Sequence, residues 1–176
     1  MAYETTAVPV EKSQGEIRKL LYQHRASNFA FTEMQHEGQR WAAIDFVLHE
    51  QRVRIRVPLK NPNLAAVKAK AQRARTKSAA DIEHEMFEQE AKRIWRVMFH
   101  TLKARLVSVE EGVETFEEAF LSHLVDPVTG MTMWEAVKGK VEAGALKSGG
   151  PGLMTEPLLA LEAGSNDDVV DAEIVE

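Results

Sequence analysis

The chain has no cysteine in 176 residues. Disulfides, thiolate metal sites and cysteine nucleophiles are excluded together, and a reducing cytoplasm is the compartment this composition suits. No apolar run approaches the roughly 18–20 residues that a membrane span needs. The opening MAYETTAVPV lacks a basic flank followed by an apolar stretch, so no secretory signal is expected. Glycine-rich phosphate loops and dinucleotide fingerprints are missing as well. Aromatic residues make up only 7%, but a hydrophobic content of 44% is enough for one core in a chain of this length.

Two further absences are local and of opposite sign. Residues 148–176 hold seven acids (Glu156, Glu162, Asp167, Asp168, Asp171, Glu173, Glu176) and no Lys or Arg. The rest of the chain then carries 22 bases against 20 acids, so the net charge of -5 hides a slightly basic body. Residues 52–77 hold nine bases and no acid: Arg52, Arg54, Arg56, Lys60, Lys68, Lys70, Arg73, Arg75 and Lys77. A basic stretch beside an acidic tail is the main functional signal in the composition.

The pattern along the chain predicts an α+β fold. Residues 1–12 read as an extended arm containing Pro9. Ser13 and Glu16 have the spacing of a capping box, which predicts a first helix from there to about Ala26. Over 28–58, three runs alternate apolar and polar residues, as half-buried strands do. Tight turns at Glu37-Gly38 and Glu50-Gln51 make them an antiparallel meander with the second strand central. This register sets Phe31 opposite Ile44, Phe29 opposite Phe46, Phe46 opposite Ile55 and Leu48 opposite Val53. Thr32, Met34, Trp41, Ala43, Asp45, Val47, Arg52, Arg54 and Arg56 then share the other face, with Met34 beside Trp41 and Asp45 beside Arg56.

Residues 59–77 read as a basic helix or loop. A long amphipathic helix over about 78–111 follows, its stripe running from Phe87 through Ala91, Ile94, Trp95, Met98, Leu102 and Leu106 to Val109. Thr115-x-x-Glu118 and Thr132-x-x-Glu135 are capping boxes that open short helices near 116–125 and 133–145, with a turn at Asp126-Pro-Val-Thr-Gly130 between them. The expected organisation is an arm (1–12), one α+β domain (13–147) and a flexible acidic tail (148–176).

Alternating arginines on a strand have two readings. They are the solvated side of a half-buried sheet, or they hold phosphates through bidentate guanidinium contacts. Trp41 on the same face either packs under another segment or stacks on an unpaired base. The density of Lys and Arg over 60–77 favours an anionic partner, and the scarcity of large apolar residues there argues against a membrane surface. In the tail, Asp167, Asp168, Asp171, Glu173 and Ile174 are candidates for a protein contact. Solubilisation, or competition with nucleic acid for the basic face, are the other readings of that segment. No catalytic residue, metal site or cofactor is expected. His84-Glu-Met-Phe-Glu88 has Glu88 where a zinc-binding HExxH motif needs its second histidine.

The segments Val8–Leu21 and Ile94–Leu124 resemble a family of small, mostly uncharacterised tailed-phage and prophage proteins. The likeness covers roughly residues 8–135, and this chain departs from it in a longer turn before Thr132. Genes of that family often lie near phage recombination and replication genes, which implies a role in DNA metabolism inside a bacterial host. The family brings no established active site. The predicted element order is shared with double-stranded-RNA-binding domains and with the core of phage single-strand annealing proteins, an analogy of fold alone.

The expectation is a non-enzymatic DNA-metabolism accessory that binds single-stranded nucleic acid, most readily DNA, through the basic sheet face and basic loop. The alternative is an adaptor or inhibitor of a host or phage enzyme that acts through its tail or long helix. Assembly of several copies is left open.

Overall fold

A computed structural model describes residues 3–74, 76–150 and 152–153. The elements are α1 (Val10–Gln23), β1 (Ser27–His36), β2 (Gln39–Leu48), β3 (Gln51–Leu59), α2 (Leu64–Arg73), α3 (Ala79–Glu110), α4 (Phe116–Phe120) and α5 (Met133–Glu142). Among them no helix is long and apolar enough to cross a membrane. The chain divides into two units between Trp134 and Glu135, inside α5 and ahead of the change in composition after residue 147.

The first helix starts earlier than its apparent capping box. Pro9 is the N-cap, in an extended conformation, and proline is tolerated where no intrahelical N–H is needed. Ser13 therefore lies inside the helix, its backbone N–H bonded to Pro9 O at 3.2 Å. Its hydroxyl is buried with no partner among the described residues. Glu16 reaches across to Arg96 of α3 instead. At the other end Arg25 takes a left-handed φ of 61°. Its N–H bonds Tyr22 O and that of Ala26 bonds Leu21 O, which closes a Schellman motif with buried Ala26 as its apolar plug.

The sheet is an antiparallel meander in the order β1-β2-β3. Glu37 and Gly38 both have positive φ, the signature of a type I′ turn, and the predicted pairs Phe31–Ile44 and Met34–Trp41 form. A bulge between Ser27 and Ala30 ends this register before Phe29 can pair with Phe46. The second turn lies at His49-Glu50, one residue earlier than expected, so Leu48 pairs with Gln51 and Phe46 with Val53. A slip of two keeps every side chain on its face. It does change neighbours: Asp45 stands opposite Arg54, not Arg56.

Ile44, Phe46, Val53 and Ile55 face a helical layer supplied by Ile17, Leu20 and Leu21 of α1 and by Ile94, Trp95, Met98, Leu102 and Leu106 of α3. Ser78 and Asp81 form the capping box that opens α3, and Gly112, at φ 71°, closes it. The predicted helix over 116–125 is shorter than its pattern. After α4 the chain makes one tight turn at Leu121–His123 and then leaves the helix. Leu124 bridges Val53, and Val125 N–H donates to Arg52 O at 2.8 Å, so this segment closes the free edge of β3.

Candidate nucleic-acid interface

Arg52, Arg54 and Arg56 project from β3 on the side away from the helical layer, because Val53, Ile55 and Val57 between them turn toward the core. Successive arginines are about 7 Å apart along the strand. They differ in what holds them. Arg52 is 52% exposed and donates to Asp45 Oδ1 at 3.0 Å. Arg54 is only 14% exposed; it donates to the same oxygen at 2.9 Å and to Gly130 O at 3.1 Å. Arg56 is exposed and stands opposite Ala43. Trp41 is half-buried, flanked by Met34 on β1 and Pro58 on β3, and so lies one diagonal step from Arg56.

The turn Asp126–Gly130 is what the sequence could not place. Asp126 accepts bonds from Val128 N–H, Thr129 N–H and the Thr129 hydroxyl, which hold its carboxyl below the usual range. The rigid turn offers Gly130 O to Arg54 and, with Arg52 and Gln51, walls a groove of about 520 Å³. Arg54 is thus a structural cation. Arg52 sits at the lip of an open groove.

The described residues of the basic tract over 60–77 gather on the helical side instead. Asn63 caps α2, which packs on α3 through Val67, so Lys68, Lys70 and Arg73 are exposed on the helical side of the molecule. The acids of α3 answer several of these bases. Lys77 pairs with Glu85, the Lys60 backbone N–H donates to Glu90, and Glu90 holds Arg93 in a two-pronged bond at 2.7 and 2.8 Å. Lys60, Lys70 and Lys77 share a groove of about 810 Å³ with Glu85, Glu90 and Arg93. Arg75 and the tail candidates Asp167, Asp168, Asp171, Glu173 and Ile174 lie outside the described residues.

Comparison with protein-family models, curated proteins and solved structures yields no match. Among the described residues no cluster of His, Asp or Glu has the makings of a metal site; His84 and Glu88 form an exposed pair at 3.4 Å.

Behind β3, His123 is bonded to the Arg54 backbone, and burial followed by the Arg105 charge pushes its imidazole down to about 4. Arg105 itself is partly buried, lies 5.8 Å from the Phe120 ring centroid and has a buried Nη1 with no partner among the described residues. A histidine kept neutral by the fold binds fewer protons than it does in the unfolded chain. Its contribution is intact above pH 6.5 and falls away as pH drops through about 4. The full shift corresponds to about 3 kcal/mol, which solvent reaching the half-buried ring reduces to about 1–2 kcal/mol. Urea unfolding at pH 7, 5 and 4 should therefore show a smaller loss for His123→Gln than for the parent. Parallel curves would show that His123 titrates normally.

Proposed function

We propose that this protein is a non-enzymatic accessory of phage DNA metabolism that binds single-stranded nucleic acid on the outer face of its sheet. The observation that carries the reading is the charge of that face. Its described residues include three guanidinium groups and one carboxylate, with an indole one diagonal step from the last arginine. Arg52 and Arg56 contact phosphates, Trp41 stacks on a base, and Arg54 with Asp45 holds the strand that presents them. Lys68, Lys70 and Arg73 on α2 form a second basic surface for a strand long enough to wrap round to the helical side. The resemblance of Val8–Leu21 and Ile94–Leu124 to phage proteins supports the setting in DNA metabolism.

Fluorescence anisotropy with a labelled single strand and its duplex, across a salt series, tests this reading. Binding should favour the single strand. Loss of two phosphate contacts in Arg52→Ala/Arg56→Ala should make the plot of log affinity against log salt shallower by about 1.4. Trp41→Ala should cost about 1–3 kcal/mol, the value of one base stack. If the intact protein binds neither nucleic acid at micromolar concentration and low salt, the reading fails. A partner captured through the tail then becomes the alternative to pursue.

A further inference from the structure

One edge of the sheet is closed and the other is open. Leu124 and Val125 cover β3. On β1 the pairs alternate, and in a hairpin with a two-residue turn the closing pair, His36–Gln39, exchanges hydrogen bonds, as does every second pair beyond it. Phe31, Glu33 and Gln35 therefore turn their backbone N–H and C=O groups away from β2. Among the described residues no hydrogen bond reaches those groups.

Of the usual protections of an edge, β1 has a bulge between Ser27 and Ala30, at one end only, and an inward-turned carboxylate that is already paired. Ser27–His36 contains no proline and no lysine, and its one carboxylate, Glu33, is tied to Trp95 Nε1 at 2.7 Å and to Arg40 at 3.4 Å. Apolar groups collect at the same rim: Met34 is 38% exposed, and Tyr22, which stands edge-on to Phe29, is 64% exposed.

We propose that β1 pairs antiparallel with β1 of a second copy of this chain, about a two-fold axis at Thr32, to make one continuous sheet. The side chains favour a second copy as the occupant and bear on the register. With the axis at Thr32, Thr32 meets Thr32 of the second copy, and Ala30 meets its Met34, all on the exposed outer face. Glu33 then faces Phe31 of the second copy. Moving the axis to Glu33 would set two carboxylates against each other, which is unfavourable. The match of this strand to itself argues for a second copy rather than an unrelated peptide. The pairing joins the arginine faces of both copies on one side of the sheet and leaves the helical layers on the other.

The absence of cysteine gives a clean test on the full chain. Facing residues at a non-hydrogen-bonded antiparallel pair have Cα atoms about 4.5 Å apart, within disulfide range. Thr32→Cys should cross-link to itself under mild oxidation. Ala30→Cys should not, because its two copies lie about 13 Å apart, but Ala30→Cys mixed with Met34→Cys should. Light scattering should find a dimer, and Thr32→Lys, which sets like charges on the axis, should weaken it about tenfold with the circular dichroism unchanged. A monomer throughout the micromolar range overturns the proposal. So does a dimer in which Thr32→Cys fails to cross-link, or in which Ala30→Cys links to itself. No nucleic acid is present, so these outcomes are independent of the binding function proposed above.

Discussion

Trp95→Ala should destabilise the protein by about 3–5 kcal/mol, the range for deleting a large aromatic side chain from a packed core. Trp95 is fully buried in the middle of α3, where that helix crosses the sheet. Its ring meets Phe31 edge-on at 5.8 Å, and its Nε1 donates to Glu33 at 2.7 Å. The substitution empties the space between the first strand and the longest helix. Glu33 keeps Arg40 at 3.4 Å, so most of the cost comes from packing. Trp95→Phe, which retains most of the volume and loses the donor, should cost about 1 kcal/mol by comparison. Urea titrations followed by far-ultraviolet circular dichroism would separate the two. Equal losses would place the stabilisation in the hydrogen bond rather than in the ring.

The second large effect has two signs. Asp45→Ala should destabilise the fold while tightening nucleic-acid binding. Asp45 Oδ1 accepts from both Arg52 and Arg54, and Arg54 is the more buried donor. Without the carboxylate, Arg54 keeps Gly130 O as its one hydrogen-bond acceptor among the described residues of the outer face. Exposed pairs contribute about 0–1 kcal/mol, and breaking a buried one costs about 3–5 kcal/mol, so this half-buried arrangement should lose about 2 kcal/mol. Removing one negative charge about 7 Å from a bound phosphate favours binding by about 0.6 kcal/mol in water, close to threefold. Thermal unfolding and anisotropy on the same sample give both numbers. Weaker binding in a variant that is still folded at the assay temperature would remove Arg52 from the interface.

The meander was legible because strand side chains repeat every second residue, a signal that survives small errors of register. Placing the turn at Glu50-Gln51 instead of His49-Glu50 shifted each pair by two and still put Arg52, Arg54 and Arg56 on the outer face. The turn is hidden because both its residues adopt positive φ without being glycine or asparagine. Such backbone costs about 1–2 kcal/mol per residue and carries no mark in the sequence. The boundaries of α1 and α4 depart from the local pattern for another reason. Ser13 matches a capping box locally, but Pro9 begins the helix and Arg96 claims Glu16. The pattern after Thr115 continues, but pairing with β3 unwinds the chain at Leu124. The site was half visible. Alternation revealed the arginines, whereas the docking of Gly130 on Arg54 and the meeting of the basic tract with Glu85 and Glu90 join residues far apart in the chain.

The closure of β3 by Leu124 and Val125 also sets an order of events during synthesis. The three strands leave the ribosome as a meander with two bare edges, and the segment that covers one of them is made only after all of α3 and α4. At about 5–20 residues per second several seconds separate the two, a window in which the nascent sheet can pair with the wrong chain. Slowing translation between Leu59 and Leu124 lengthens that exposure, and crowding of nascent chains on one message makes it more consequential. The yield of folded protein should therefore fall when translation between Leu59 and Val125 is slowed.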